Sequence, residues 1–327
     1  ERFGSRLGLG RMGRLLHRMG DPHLKVPYIH VAGTNGKGST TTMIASALTA
    51  GGFKTGKFIS PFILEFRERM QIDGEMIPEE TLAALATRLR PIAEEFKAAG
   101  DPPTEFELVT VLGLTWFAEA GCDIAVLEVG LGGRLDATNI IPPPLVAVIT
   151  RIDYDHTAIL GDTLAAIAGE KCGILKRGST VICYPDQEEE ALAVIRRRAK
   201  EEDDPLIRPD RTALSVLSAD LTGSRILYRG QEIFIPLPGP HQVLNTITAV
   251  EALNALSSSC FALPPSAIAA GIAAARFPAR LELLRQSPPV LVDGAHNPNG
   301  GRALCEALKA LDLHDLTAVV GMLRDKD

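Results

Sequence analysis

Paired cysteines, long apolar runs and any excess of positive charge are missing from this chain of 327 residues. Its five cysteines (Cys122, Cys172, Cys183, Cys260 and Cys305) are scattered, odd in number and never spaced as CxxC. That argues against a disulfide framework and a cysteine zinc site, and fits a reducing cytosol. No apolar run approaches the ~18 residues that a membrane-spanning helix needs, and the N-terminus carries no signal-peptide stretch. A soluble, cytoplasmic protein with no membrane partner is expected. Acids outnumber bases by 40 to 34, for a formal net charge of −6. Phosphate backbones are held by clustered Lys and Arg, so no nucleic-acid partner is expected. The one dense basic run, Arg196-Arg197-Arg198, is followed by Lys200, Glu201, Glu202, Asp203 and Asp204 and reads as a solvated helix end. Internal repeats and low-complexity segments are absent too. So is an initiator Met: the chain starts at Glu1, stops at Asp327 just past a strand-like run from Leu316 to Val320, and reads as a fragment.

What is present is the material of an α/β protein. Hydrophobic residues make up 46% of the chain and charged residues 23%, a balance that supplies a core and excludes wholesale disorder. The length calls for one large domain and part of a second. Tyr28 to Ala32 is a short run of β-formers, followed by glycines and then by Ser39 to Ala50, where Met43, Ile44, Ala47 and Leu48 recur at helical spacing. Strand, glycine-rich turn, helix is the prediction. Phe53 to Ile59 reads as a second strand, ended by Ser60-Pro61. Pro78 with Glu79 and Glu80 opens a helix towards Ala99, with a kink allowed at Pro91, and a helix from Glu107 to Ala120 follows. Ile124 to Val129 and Leu145 to Thr150 are continuous Val- and Ile-rich runs, the pattern of parallel strands buried on both faces. Helix Thr163 to Leu175, strand Thr180 to Tyr184 and helix Gln187 to Lys200 continue the alternation. Residues 205 to 238 differ, their short strands (Ser224 to Tyr228, Glu232 to Pro236) predicting a small antiparallel patch. Helices His241 to Leu256 and Ser266 to Ala275 follow. After Arg280, a strand from Pro289 to Val292, a helix near Gly301 to Ala310 and the last strand predict the opening of a second α/β domain.

Chemistry concentrates in the turns after strands. In Gly33-Thr34-Asn35-Gly36-Lys37-Gly38-Ser39-Thr40 the glycines free backbone N–H groups to face phosphate oxygens. The helix start adds its positive dipole end, and Lys37 adds a full charge. The usual phosphate-loop pattern is broken twice, by Val31 at the first Gly position and by Gly38 directly after the Lys, so Ser39 must serve as the hydroxyl. Glu128 interrupts an apolar strand near its C-terminal end, the ligand edge of a parallel sheet. Its partner is either magnesium shared with ATP phosphates or, structurally, an arginine such as Arg134. Gly130-Leu131-Gly132-Gly133-Arg134-Leu135-Asp136 follows, rich enough in glycine for close backbone approach to a ligand. His156, in Asp153-Tyr154-Asp155-His156, lies at the same edge as a metal ligand or a hydrogen-bonded structural residue. Periodicity alone makes Lys171 a surface charge on the helix that Thr163 caps. Asp293-Gly294-Ala295-His296-Asn297-Pro298 is a further polar βα turn, with Asn297 as helix cap and Pro298 at the first helical position.

Together these stretches resemble the folylpolyglutamate synthase and dihydrofolate synthase family, a branch of the Mur-type ligases. The resemblance extends over nearly the whole chain, through His30-Val31-Ala32 and the loop, Ser60-Pro61-Phe62 to Glu68-Arg69, Phe106-Glu107, Glu128 to Asn139, Asp155-His156, Leu160 to Ile174, Pro238 to Asn245, Pro278 to Glu282 and Asp293 to Pro298. It implies a central ATP-binding domain over 1–283 with a mostly parallel sheet, and over 284–327 the incomplete start of a Rossmann-like C-terminal domain. It implies an ATP-dependent ligase that adds L-glutamate to a folate or dihydropteroate carboxylate through an acyl phosphate, acting as a monomer. ATP is expected at Thr34 to Thr40 (Asn35, Gly36, Lys37, Gly38 and Ser39 between them), Asn245, Arg280, Asp293 and His296. Mg2+ is expected at Ser39, Ser60, Glu128, His156 and a carbamylated Lys171. Lys37, Glu128, His156 and Lys171 carry the catalytic roles. The pteroate group is expected near Phe106, Glu107, Leu135 and Asp136, with a loop around Gly8 to Gly10. Two departures stand out. Phe62-Ile63 follows Ser-Pro where many members have His, a form shared with some polyglutamate-extending members. Ala279 stands where a Gly usually precedes the family Arg, and its methyl is tolerable unless the position needs positive φ. The rival readings are a cell-wall Mur ligase and a non-catalytic nucleotide switch.

Overall fold

An eight-stranded sheet organises the chain, and its central strands are the continuous apolar runs of the sequence. The computed structural model describes residues 8–321. Strands β1 (Tyr28–Ala32), β2 (Thr55–Phe58), β3 (Met70–Ile72), β4 (Glu75–Met76), β5 (Ile124–Glu128), β6 (Val146–Ile149), β7 (Thr180–Cys183) and β8 (Leu206–Ile207) lie in the order β4-β3-β2-β5-β1-β6-β7-β8. From β2 to β8 the pairings are parallel, and β3 and β4 turn back antiparallel at one edge. Parallel neighbours need crossover connections, and helices supply them.

Those helices cover both faces. Beneath α2 (Lys37–Ala50), α8 (Pro240–Asn254) and α9 (Pro265–Ala274) the sheet presents Ile29, Val31, Val126, Val148 and Ile182. On the other face Tyr28, Phe58, Ala125 and Leu127 pack with α1 (Leu9–Arg18), α3 (Glu79–Ala98) and α4 (Glu105–Glu119). Ala147, Ile149 and Val181 pack with α6 (Leu164–Lys171) and α7 (Glu189–Glu202), and the short α5 (Thr157–Leu160) precedes α6. A three-stranded antiparallel sheet, β9 (Leu214–Asp220), β10 (Gly223–Tyr228) and β11 (Gln231–Ile235), closes over α8 and α9 through Ile226, Tyr228, Ile233 and Ile235. Last come the antiparallel pair β12 (Glu282–Gln286) and β13 (Pro289–Val292) and the helix α10 (Pro298–Ala310). Among the described residues no helix is long and apolar enough to cross a membrane.

Two expectations give way here, and one strand is added. Leu316 to Val320 forms no strand: it finds no partner strand among the described residues, and Val319 is 98% exposed. A strand needs a neighbour for its backbone groups. The expected loop around Gly8 to Gly10 is instead the start of α1, with Gly8 as its cap, because Met12, Leu15 and Leu16 recur at helical spacing and are fully buried. The strand read at Pro289 to Val292 is present as β13, and it pairs antiparallel with β12, which the sequence reading missed.

Gly271 sets how closely α9 approaches α2. A Cβ there would lie 2.2 Å from the Ala47 Cα and 2.6 Å from the Ser46 carbonyl oxygen, and the Ser46 Oγ donates to the Gly271 carbonyl at 2.7 Å. Helix propensity favours alanine over glycine by ~1 kcal/mol, whereas overpacking against backbone costs about 1–3 kcal/mol. The clash wins because main chain cannot rotate aside. Gly271→Ala should therefore destabilise the fold by roughly 1–2 kcal/mol, read as a lower urea midpoint at unchanged m; a raised midpoint would refute the contact.

Candidate active site

The parallel strands end at one edge of the sheet, and the chemistry-bearing turns collect there. Helix α2 begins without a side-chain cap and with no acid in its first turn, and its N-cap residue Gly36 has φ 85°. Its first N–H groups therefore stay available to an anion. Gly36 also lies against Asn245, whose Oδ1 would be 2.4 Å from a Cβ at that position. The irregular Gly38 has a packing reason: a Cβ there would meet the Phe277 ring at 2.5 Å and the Glu128 Oε2 at 3.3 Å. The Lys37 Nζ donates to the Thr34 carbonyl at 3.1 Å. Behind them the loop is anchored, the Thr34 and Asn35 N–H groups both donating to the Arg151 carbonyl at 2.8 and 3.2 Å.

Glu128 ends β5 with only 4% exposure and accepts one backbone hydrogen bond, from the Ser60 N–H at 3.1 Å. It makes no ion pair among the described residues. Burial pushes its carboxyl above the ordinary range, against the pull of nearby Lys37. The arginine alternative fails, since Arg134 pairs with Glu170 at 2.8 Å. Lys171 is no surface charge either: it is 4% exposed, and its Nζ donates to the Gly33 carbonyl at 2.8 Å. Periodicity missed this because α6 ends beneath the phosphate loop. Burial, with Lys37 adding repulsion, lowers the Lys171 ammonium to about 7. His156 caps α5 with φ 49°, and its N–H donates to the Asp155 Oδ1 at 2.9 Å.

A cavity of about 490 Å³ opens on these groups. Thr34, Asn35, Gly36, Lys37, Gly38, Ser39, Ser60, Glu128, His156, Lys171, Asn245, Arg280, Asp293 and His296 all line it. Thr40 does not: it is fully buried within α2. Arg280 stacks on Phe277, 4.7 Å from the ring centroid, and Asp293 accepts the Leu281 and Ala295 N–H groups at 2.9 and 2.8 Å. Phe106, Glu107, Leu135 and Asp136 lie outside the cavity lining. Glu107 is buried against Arg11 at 2.9 Å and closes a capping box with Thr104. Asp136 accepts from the Thr138 and Leu131 N–H groups at 3.0 and 2.9 Å. Gln242, which the sequence reading passed over, donates to the Ser39 Oγ at 3.2 Å and accepts from Asn245 at 3.0 Å. Its spacing of three from Asn245 on α8 was the available signal.

The donor set suits a magnesium nucleotide. Among the described residues no three His, Cys, Asp or Glu side chains cluster as a metal site. A cation here would take the Glu128 carboxylate, hydroxyls and phosphate oxygens, the hard-oxygen pattern of Mg2+.

Residues 31–253 match the Mur ligase middle domain. A folylpolyglutamate synthase from Lacticaseibacillus casei is 39% identical over 330 residues, covering 97% of this chain and 76% of its own. A dihydrofolate synthase/folylpolyglutamate synthase from Bacillus subtilis is 38% identical over 335 residues, covering 99% of this chain and 77% of its own. A solved FPGS–AMPPCP–folate complex superposes with a TM-score of 0.88 at 37% identity, over 95% of this chain and 78% of that one.

Ala279, beside Arg280, has φ 54°, the left-handed region that an L-residue enters at a cost of about 1–2 kcal/mol. The position thus needs the positive φ that makes its methyl unfavourable. Ala279→Gly should raise stability by about 0.5–1 kcal/mol, the gain being trimmed by the freer unfolded chain. Chemical denaturation reads this directly, and a loss of stability would contradict the strain.

Proposed function

This chain belongs to the folylpolyglutamate synthase and dihydrofolate synthase branch of the Mur ligases, and we propose how the residues of its cavity divide the labour of an ATP-dependent folate ligase. The observation that carries the reading is a buried carboxylate with no ion pair among the described residues, Glu128, facing an uncapped helix start and Lys37 across one cavity. The second substrate is L-glutamate. A carboxylate is a poor electrophile until phosphorylated. In the proposed sequence the folate or dihydropteroate carboxylate takes the γ-phosphoryl group, releasing ADP, and the amine of glutamate then displaces phosphate to form the amide.

Lys37 and the N–H groups at the start of α2 hold the transferring phosphoryl group, and their positive charge offsets the charge it develops. Glu128, Ser39 and Ser60 would hold Mg2+, which when bound would supply Lewis-acid stabilisation of the phosphate oxygens. Asn245, Arg280, Asp293 and His296 line the nucleotide side. His156 and Lys171 orient the acceptor carboxylate. Phe106, Glu107, Leu135 and Asp136 shape the pteroate side from behind the cavity wall, the Glu107 carboxylate being taken up by Arg11 and Thr104 and that of Asp136 by the Thr138 and Leu131 N–H groups. The division at about 283 is part of this reading: the antiparallel pair β12 and β13, which starts at Glu282, stands apart from both the eight-stranded and the three-stranded sheet. So is a cytosolic monomer, the compartment resting on five free thiols. The cell-wall alternative is set aside, because relatives covering nearly the whole chain are named as folate ligases.

Replacing the carboxylate tests the central assignment. Glu128→Gln keeps the shape and removes the charge, and glutamate-dependent ADP release should fall by about a hundredfold or more. An unchanged rate would sink the role of Glu128.

Lys171 supplies a second test through pH. Only a neutral amine attacks CO2, forming an N–C bond and releasing a proton to give the carbamate. An ordinary lysine is protonated below 10.5, whereas Lys171 loses its proton near 7. Raising pH through 7 therefore raises the reactive fraction. Native mass spectrometry in bicarbonate buffer should find a carbamate-sized addition that grows from pH 6 to pH 8 and is missing in Lys171→Met. Equal modification at both pH values, or its persistence in the variant, would contradict the assignment.

A further inference from the structure

Two asparagines of the C-terminal segment reach the phosphate loop across more than 260 residues of sequence. Asn35 Nδ2 donates to Asn299 Oδ1 at 2.7 Å, and Asn297 Nδ2 donates to Asn35 Oδ1 at 3.2 Å. Asn299 Nδ2 donates to Asp153 Oδ2 at 2.5 Å, and Asn297 Nδ2 also reaches Asp155 Oδ2 at 3.0 Å. At the far end Asn297 Oδ1 accepts the Gly300 N–H at 2.7 Å, capping α10. Both asparagines are buried, at 7% and 8% exposure.

The orientations in this chain are not interchangeable. A carboxylate only accepts, so Asn299 must turn its NH2 to Asp153 and its oxygen to Asn35. Asn35 must then present its NH2 to Asn299 and its oxygen to Asn297, whose own oxygen is held by a backbone N–H. An acceptor at one end and a donor at the other thus fix every amide between them. Three turns of the cavity are joined by this one chain: the phosphate loop, the Asp153–His156 turn, and the turn carrying Asp293 and His296. The Asp153 turn is tied to the loop a second time, through Thr34 Oγ1, which donates to the Asp153 carbonyl at 2.9 Å. Asn35, with its N–H on the Arg151 carbonyl and its side chain on the two asparagines, is held wholly by protein.

We propose that Asn299 is a positioning residue: through Asn35 it latches the phosphate loop to the C-terminal segment, so that nucleotide affinity depends on how that segment is seated. The latch rests on the nucleotide reading of the cavity. It acts through Asn35 and the loop that Asn35 belongs to.

A charge swap tests it. Asn299→Asp sets two carboxylates against each other where a donor met an acceptor. Its affinity for AMPPCP, by calorimetry, should fall about tenfold or more, and amide exchange should quicken together in 33–37 and 153–156. The double variant Asn299→Asp with Asp153→Asn restores a donor facing an acceptor with the sense reversed, while position 299 still accepts from Asn35. It should return to within about threefold of the parent. Failure of the swap to improve on Asn299→Asp, or unchanged affinity in Asn299→Asp, overturns the latch, since a merely structural residue would not be rescued by exchanging charge with Asp153. If Asn299→Asp does not fold, Asn299→Ala deletes the link without adding charge and should lose about threefold or more; no loss overturns the proposal. A parent protein that fails to bind AMPPCP would count against the nucleotide reading, and the exchange rates of the same variants would still decide the latch.

Discussion

Glu128 stands at the end of a strand whose other residues are all apolar and buried, and it makes no ion pair among the described residues. Placing a carboxylate there opposes folding, because an uncompensated buried charge costs several kcal/mol. The surroundings meet this cost only in part, with one backbone N–H from Ser60 and the field of Lys37. The cavity is built around that remaining deficit of positive charge. An uncapped helix start, a lysine and hydroxyl oxygens face the same space, and in the proposed reading each would be satisfied by a phosphate and its cation. Binding and folding thus draw on the same unsatisfied groups.

Lys171 repeats the arrangement with the sign reversed. It is a buried amine whose hydrogen bond goes to a backbone carbonyl rather than to an acid. Between about pH 7 and 10.5 the unfolded chain would hold a proton that the folded chain has lost. Stability contributed by this group therefore rises with pH over that window, as linkage requires for a base with a depressed folded pKa. Glu128 lies against Gly38 and Lys171 against Gly33 of the same loop, and among the described residues neither is paired with an opposite charge. The loop itself is held by the Arg151 carbonyl behind and by Asn297 and Asn299 at its side. Rigid support beneath groups left electrostatically unfinished is what a phosphoryl-transfer site needs, since preorganised dipoles act without reorganisation.

Much of this was legible in the chain. Continuous apolar runs such as Ile124 to Glu128 and Val146 to Ile149 predict parallel strands covered on both sides, and the polar turns after them predict the ligand edge. Periodicity failed where tertiary contact overrides it. Lys171 lies at the last position of a helix, where spacing says exposed, and only the docking of α6 beneath Gly33 buries it. The strand expected at Leu316 to Val320 had apolar residues but no partner. Among the described residues the hairpin of β12 and β13 pairs with no other strand, which local pattern cannot distinguish from the first strand of a new sheet.

Residue identity by itself determined the glycine-rich turn after β1, the central parallel strands with the helices between them, and the acid and the histidine at the sheet's C-terminal edge, because each is encoded within a few neighbours. Tertiary structure alone decided which polar groups remain unpaired and which are consumed. It gave Arg134 to Glu170, closed Glu107 onto Arg11, set Gln242 behind Ser39, and brought Asn299 to Asn35. Those outcomes depend on contacts between residues tens to hundreds of positions apart. No local propensity carries that information, since a side chain's hydrogen-bond partner is set by where the packed helices and sheet leave it.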